Sequence, residues 1–137
     1  MNKYHLHPYE DNIVQDRVIY RELSYRVMQA AFEVHNTLGP GFAERIYEQA
    51  LAHELKRCNI PFERQKKVTV CYKEHIVGAQ RLDFVIDDKI VLELKATSAL
   101  TDVFKQQTNS YLKATGLRLG ILINFGTSRV EYIRIAN

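Results

Sequence analysis

The sequence is short of the residues that mark disulfide frameworks and low-complexity segments. It holds two cysteines, six glycines, three prolines and no tryptophan in 137 residues. Cys58 and Cys71 are too few for a disulfide framework and lack the spacing of a zinc site. We therefore expect reduced thiols and a cytoplasmic protein.

Long apolar runs are also missing. No stretch of about 18 apolar residues occurs, so the sequence predicts no membrane-spanning helix and no membrane partner. The polar first ten residues lack the apolar core of a secretory signal. We expect a loose N-terminal arm over residues 1–12 and a single domain over residues 13–137.

The sequence has little excess of charge of either sign. It has 19 Lys and Arg and 16 Asp and Glu, which give a formal net charge of +3. Such a mild excess is compatible with a phosphate-bearing partner and equally with an ordinary solvated surface. The composition, 46% hydrophobic and 26% charged, is typical of a globular domain with a buried core.

Two apolar stripes at helical spacing predict two helices in the first half. The first runs from Ile13 to Leu38 and ends at Gly39-Pro40-Gly41, since proline cannot continue a helix and glycine tolerates a left-handed cap. The second runs from Phe42 to Arg57. Its expected inward-facing residues are Ile46, Ala50 and Leu51.

The pattern then changes to the period of two that indicates strands. A continuous apolar run at Leu119–Asn124 predicts a strand that is buried on both faces, and the helix before it allows a parallel crossover. The fold class is therefore α/β, a single domain with a central mixed β-sheet flanked by helices. The predicted elements are strands Glu63–Tyr72, Ile76–Ile86 and Ile90–Lys95, a turn at 73–75, a helix over Asp102–Ala114, and strands Leu119–Asn124 and Val130–Ile135.

Three polar residues on two neighbouring strands carry the candidate chemistry. Glu93 and Lys95 share one face of the third strand, roughly 7 Å apart, and Asp83 lies on the preceding strand. A two-residue turn would split the polar groups between both faces. A three-residue turn at 87–89 pairs Ile86 with Ile90 and Asp83 with Glu93, and we predict this register because it keeps the apolar side chains buried together.

Two carboxylates about 5 Å apart at the backbone repel each other. Lys95 offsets part of this repulsion, and a divalent cation would offset more. Oxygen ligands suit Mg²⁺ or Mn²⁺, and Asp83, Glu93 and the carbonyl of Leu94 could bind it. Such a metal acidifies bound water and neutralises charge on a phosphate, where Lys95 could stabilise the transition state. The same trio is equally typical of a cross-strand salt-bridge ladder.

The order Asp83, nine residues, then Glu93-Leu94-Lys95 resembles the signature of the PD-(D/E)XK nuclease superfamily, with Leu82 where many members have proline. The segment 41–47 spells G-x-x-E-x-x-Y and resembles the GxxExxY proteins, a branch of that superfamily. Gln107 and Tyr111 resemble the Q-x-x-x-Y motif of RecB-type nucleases. The resemblance implies a restriction-endonuclease-like core and a divalent-metal-dependent nuclease.

The resemblance also implies roles for individual residues. Glu44 fits a helical acid near the metal, either a further ligand or a water-positioning group; the alternative is a favourable charge at a helix N-terminus. Tyr47 lies on the same helix face, where a core role competes with a catalytic one. Gln107 and Tyr111 could reach the metal water or a phosphate, or only cap the sheet. We favour a structural role for His35 over a ligand role.

Three functions remain open on the sequence. The first is metal-dependent hydrolysis of nucleic acid, with DNA favoured over RNA. The second is a nuclease-fold module without useful catalysis that binds nucleic acid or a protein. The third is a structural protein whose acidic face is only an ion-pair network. The small size favours a homo-oligomer or a protein partner that completes substrate recognition.

Overall fold

The structure, a computed structural model, describes residues 19–137. Three helices and five strands make up this region, in the order helix, helix, three strands, helix, two strands. They are α1 (Arg21–Leu38), α2 (Glu44–Arg57), β1 (Phe62–Tyr72), β2 (His75–Ile86), β3 (Ile90–Lys95), α3 (Asp102–Thr115), β4 (Leu119–Asn124) and β5 (Glu131–Ala136).

The five strands form one mixed sheet in chain order, β1-β2-β3-β4-β5. Only β3 and β4 are parallel, because α3 carries the chain back across the sheet between them. Helices α1 and α2 bury one sheet face and α3 the other. All six residues of β4 are buried, which confirms the prediction of a central strand covered on both faces.

Within the described residues, the first predicted helix begins at Arg21. Residues 1–12, expected to be a loose arm, and residues 13–18 of that helix lie outside the described residues. Ile19 and Tyr20 form a turn, and Tyr20 adopts a left-handed conformation (φ 51°) that cannot continue into a regular helix. The helix therefore starts at Arg21. None of the helices within residues 19–137 is long and apolar enough to cross a membrane.

Helix α2 starts at Glu44 rather than Phe42, and its inward face differs from the prediction. Leu51 is buried as expected, but Ile46 and Ala50 are only partly buried. Tyr47 is fully buried instead, and its ring stacks on Phe125 with centroids 4.8 Å apart. The buried residues of α2 are Tyr47, Leu51, Ala52 and Leu55.

The predicted three-residue turn between β2 and β3 is confirmed. Ile86 pairs with Ile90, and Phe84 with Leu92. The amide N–H of Lys89 donates to the carbonyl of Ile86 over 2.8 Å and closes the turn. Burial selected this register, because both pairs lie in the main core.

The turn between β1 and β2 is shorter than predicted. Lys73 and Glu74 alone form it, both left-handed (φ 47° and 74°), as a two-residue hairpin turn requires. His75 therefore belongs to β2, where it pairs with Tyr72.

Candidate active site

The site lies where β2 leaves the regular sheet, at Asp83. The β2–β3 ladder stops at Phe84, and on the other side Gln65 adopts a left-handed conformation (φ 51°) and does not pair with Asp83. Leu82 packs with Val85 on the α3 side, although strict alternation would place it on the opposite face. The strand is therefore distorted at Asp83, and the alternation of faces is not kept across this residue.

Side chains replace the missing backbone pairing between Asp83 and Glu93. The amide N–H of Asp83 donates to Oε1 of Glu93 over 3.1 Å. The amide N–H of Leu94 donates to Oδ2 of Asp83 over 2.8 Å. The expected juxtaposition is thus present, but each carboxyl bonds to the backbone of the opposite strand.

Burial makes both carboxyls hard to ionise, and the charge of Asp83 adds to this effect on Glu93. Glu93 is only 4% exposed; burial first, and then the charge of Asp83, raise its pKa to about 9. Burial also raises the pKa of Asp83, while the hydrogen bond from Leu94 works in the opposite direction. A pair in this state holds a proton at neutral pH, or needs a cation in its place.

Lys95 is near the pair but does not form an ion pair with it. None of the ion pairs found within residues 19–137 includes Lys95. Its Nζ lies 3.5 Å from Oε1 of Gln107 and 4.6 Å from the centroid of the Phe104 ring. Two of the predicted residues, Lys95 and Gln107, are thereby brought together, and the contacts do not support the salt-bridge ladder.

Tyr111 closes the site from the α3 side. It is 5% exposed, and burial first, then the charges of Glu93 and Asp83, raise its pKa to about 12. Its hydroxyl therefore stays protonated and available as a hydrogen-bond donor toward the acidic pair.

Helix α2 contributes Glu44, as predicted, and a second acid that the sequence did not single out. Partial burial first, and then the charge of Asp83, raise the pKa of Glu44, so this carboxyl is near enough to Asp83 to be affected by its charge. Glu48 lies one turn further and adds to the repulsion on Asp83. The spacing of four residues from Glu44 was the available signal, since it puts both acids on one helix face.

Glu48 is held by residues of β1. Arg64 donates to its carboxylate over 2.9 Å, and the side-chain amide of Gln65 donates over 3.1 Å. The left-handed Gln65 thus connects α2 to the distorted point of β2. This network is assembled across 16 and 17 residues of sequence, so no local motif indicated it.

Hydrogen bonds from the segments that follow β3 and β4 hold the end of β3 at Lys95 in place. Asn124 is fully buried, and its Oδ1 accepts the amide N–H groups of Thr97 and Gly126. The carbonyl of Lys95 accepts from Phe125 over 2.8 Å. A Cβ at Gly126 would lie 2.4 Å from the Thr97 backbone, so only glycine fits there. The two chain segments after β3 and β4 therefore hold Lys95 and Leu94 rigidly.

Tyr47, a predicted catalytic residue, is placed in the core instead. It is fully buried; its hydroxyl donates to the carbonyl of Gly39 and accepts from the amide N–H of Phe42. These contacts tie the loop before α2 to the core, because both polar partners belong to that loop, and they favour the core role over the catalytic one.

We expect Tyr47→Phe to lower the free energy of unfolding by about 1 to 2 kcal/mol, because two loop groups lose their partner. Urea denaturation measures this. Tyr25→Phe, at a 64% exposed tyrosine, is the matched control and should leave stability unchanged. Normal stability of Tyr47→Phe together with lost hydrolysis would restore the catalytic role.

His35 has the structural position that we favoured. It is 6% exposed, and its Nε2 lies 2.9 Å from the carbonyl oxygen of Thr127. Its ring also packs against Phe125. His35 therefore connects α1 to the loop between β4 and β5.

The oxygen atoms of the site are of the type that a hard divalent cation prefers, but among the described residues fewer than three acidic side chains lie close enough together there to hold one. Within residues 19–137, no three acidic, histidine or cysteine side chains are close enough to hold a metal ion. Glu93 provides a buried carboxyl and Asp83 a half-buried one beside it, and a cation would offset the charge of the pair. Glu44 on α2 lies near enough to be affected by the charge of Asp83. The residues therefore fit a divalent cation as two firm ligands with further positions for water.

Comparisons with known proteins agree with this architecture. A family model described as the PD-(D/E)XK nuclease superfamily matches residues 21–135. The crystal structure of SSO0001 is similar in fold, with a TM-score of 0.56 and 22% identity over 68% of this chain. This chain covers 49% of that one, so it spans about half the length of that protein. The search of curated proteins gave no match.

Proposed function

Since the chain belongs to the PD-(D/E)XK nuclease superfamily, we propose that it is a divalent-metal-dependent nuclease that hydrolyses phosphodiester bonds of DNA. The observation that carries the proposal is the pair of the half-buried Asp83 and the buried Glu93, with Lys95 at the end of the strand that carries Glu93. We further assign the chain to the GxxExxY branch, with RecB-like character, on the segment 41–47 and on Gln107 and Tyr111.

In this proposal Asp83, Glu93 and the carbonyl of Leu94 hold Mg²⁺ or Mn²⁺, with Glu44 as an additional ligand or as the acid that positions water. The cation supplies Lewis-acid activation of water and charge neutralisation at the phosphate. Lys95 directs its ammonium group at the negative charge that grows on the phosphate. Gln107 keeps the lysine in place, and Tyr111 donates a hydrogen bond within the site.

The direct test is hydrolysis of single- and double-stranded DNA and RNA, each with Mg²⁺, with Mn²⁺ and with a chelator. We expect cleavage of DNA that requires the cation and falls about 100-fold or more in Lys95→Ala, because one charge-stabilising group is lost. Lys89→Ala is the matched control, since Lys89 lies at the opposite end of β3 and contacts Asp87. Undiminished cleavage in Lys95→Ala would refute the assignment.

A second candidate is a nuclease-fold binding module with little or no catalysis. The observation in its favour is that residues 19–137 hold no ready three-ligand group for a metal. Isothermal titration calorimetry of the protein with Mn²⁺ distinguishes the nuclease from the binding module. Binding that is lost in a Glu93→Ala variant supports the nuclease, and no binding by the unaltered protein supports the module.

A further inference from the structure

The hairpin of β1 and β2 extends well beyond the rest of the sheet. Strand β3 pairs with β2 only over residues 84–86, whereas β1 and β2 stay paired up to Tyr72 and His75. All residues from 75 to 81 are exposed. The segments 67–72 and 75–81 therefore form a two-stranded arm, here called the ribbon, that projects past the end of β3 that carries Lys95.

The charge on the ribbon is positive and is not neutralised within the described residues. Lys67 and Arg81 are exposed and directly opposite each other. Neither forms an ion pair within residues 19–137, and like charges in opposite positions destabilise a strand pair. Lys73 adds a third positive charge at the turn, and Glu74 is the one acid. An anionic ligand would relieve this repulsion.

The shape of the ribbon suits the groove of a double helix. From His75 to Arg81 it reaches about 20 Å at the usual rise of a strand. A two-stranded ribbon fits the major groove of B-form DNA, which is about 12 Å wide, whereas the major groove of double-stranded RNA is too narrow for protein side chains. Large apolar side chains near the turn can contact base edges such as the thymine methyl group; they are Tyr72, Ile76 and Val77, each more than 60% exposed.

We infer that the ribbon binds double-stranded DNA in its major groove and so delivers a backbone phosphate to the site. Arg81 stands two residues before Asp83 in the sequence, and its guanidinium donates to the carbonyl of Gln65, the residue beside the distorted point of β2. Phosphates bound at Lys67 and Arg81 therefore lie near the acidic pair. The inference deepens the proposed function, because it names the form of DNA and the surface that binds it. Binding itself requires neither the cation nor hydrolysis.

The test is fluorescence anisotropy of a labelled DNA duplex of about three helical turns, with chelator present so that no cleavage occurs. The variant is Lys67→Gln with Arg81→Gln. The matched control is Lys56→Gln with Arg118→Gln, which makes the same change in charge at exposed residues near the opposite end of the sheet. Lys67→Gln alone is included in case the double variant folds poorly, which thermal melting reports.

We expect the ribbon variant to bind the duplex about tenfold or more weakly at moderate salt, and the slope of log affinity against log salt to fall by about two. The control should differ little from the unaltered protein. Equal weakening by both variants, or none by the ribbon variant, overturns the inference. Tighter binding of a single strand than of the duplex also overturns it, as does a ribbon variant that only converts a dimer to monomers in light scattering.

The outcome is separable from that of the nuclease proposal. Duplex binding that depends on the ribbon, without cleavage in any cation, would support the binding surface and contradict the enzyme. Cleavage that depends on Lys95 but is indifferent to the ribbon variant would support the enzyme and contradict the binding surface.

Discussion

Asp83→Asn is expected to abolish cation-dependent hydrolysis while leaving the protein at least as stable as the unaltered chain. Activity should fall about 1000-fold or more, because one of the two firm ligands loses its charge. Stability should stay or rise by about 1 kcal/mol, because the asparagine Oδ1 still accepts the N–H of Leu94 and the repulsion with Glu93 is gone. A hydrolysis assay and a urea denaturation curve in chelator measure the two effects.

The opposite signs of these effects separate a metal site from a structural network. Asp88→Asn is a suitable control, since Asp88 has a mostly exposed side chain and a left-handed conformation that asparagine also tolerates. Asp88→Asn should change neither the rate of hydrolysis nor the free energy of unfolding. If Asp83→Asn instead loses about 2 kcal/mol or more of stability and keeps activity, the structural reading is correct and the nuclease proposal is not.

The second large effect is on the pH dependence of stability without divalent cations. The pKa of Glu93 is about 9 in the folded protein, against an ordinary value of 4.5. Between these values the folded protein holds a proton that the unfolded chain releases. The free energy of unfolding should therefore be highest at acidic pH and fall by up to about 1.4 kcal/mol per pH unit as pH rises toward 9.

Glu93→Gln should remove most of this slope, because the carboxamide does not titrate and its Oε1 can still accept the N–H of Asp83. The variant should be more stable than the unaltered protein at pH 8 or so and similar to it near pH 5. Glu63→Gln, at a side chain 56% exposed, is the control and should keep the slope. Identical slopes in the unaltered protein and Glu93→Gln would show that the Glu93 carboxyl does not have a raised pKa.

Much of the fold was predictable because it depends on patterns that repeat along the chain. The apolar run at Leu119–Asn124 indicated the central strand, and the structure confirms it. The turn at 87–89 was predictable because a slip of one residue would have moved Phe84 and Leu92 out of the core. The segment that carries Asp83, Glu93 and Lys95 was found for the same reason, together with its resemblance to a family motif.

The predictions that failed concern choices between nearly equivalent positions. Ile46 and Tyr47 are adjacent on α2, and only the presence of Phe125, 78 residues further along the chain, decides that Tyr47 is the buried one. The distortion of β2 at Asp83 likewise depends on Gln65 and on the side chain of Glu93. These residues are far from one another in the chain, and no local sequence pattern predicts their contact with Asp83.

By itself the sequence determined the types and order of the elements and the register of β2 against β3, because periodicity and local spacing encode them. The superfamily was indicated separately, by the resemblance of the segment with Asp83, Glu93 and Lys95 to a known motif. The tertiary structure alone decided how the acidic pair is bonded, that Lys95 contacts Gln107 rather than a carboxylate, and that Glu48 joins the site through Arg64. It also revealed the unneutralised ribbon. These features depend on contacts between residues far apart in the chain, which local patterns do not encode. The same packing buries the carboxyls, and burial is the main cause of the raised pKa values of Asp83 and Glu93.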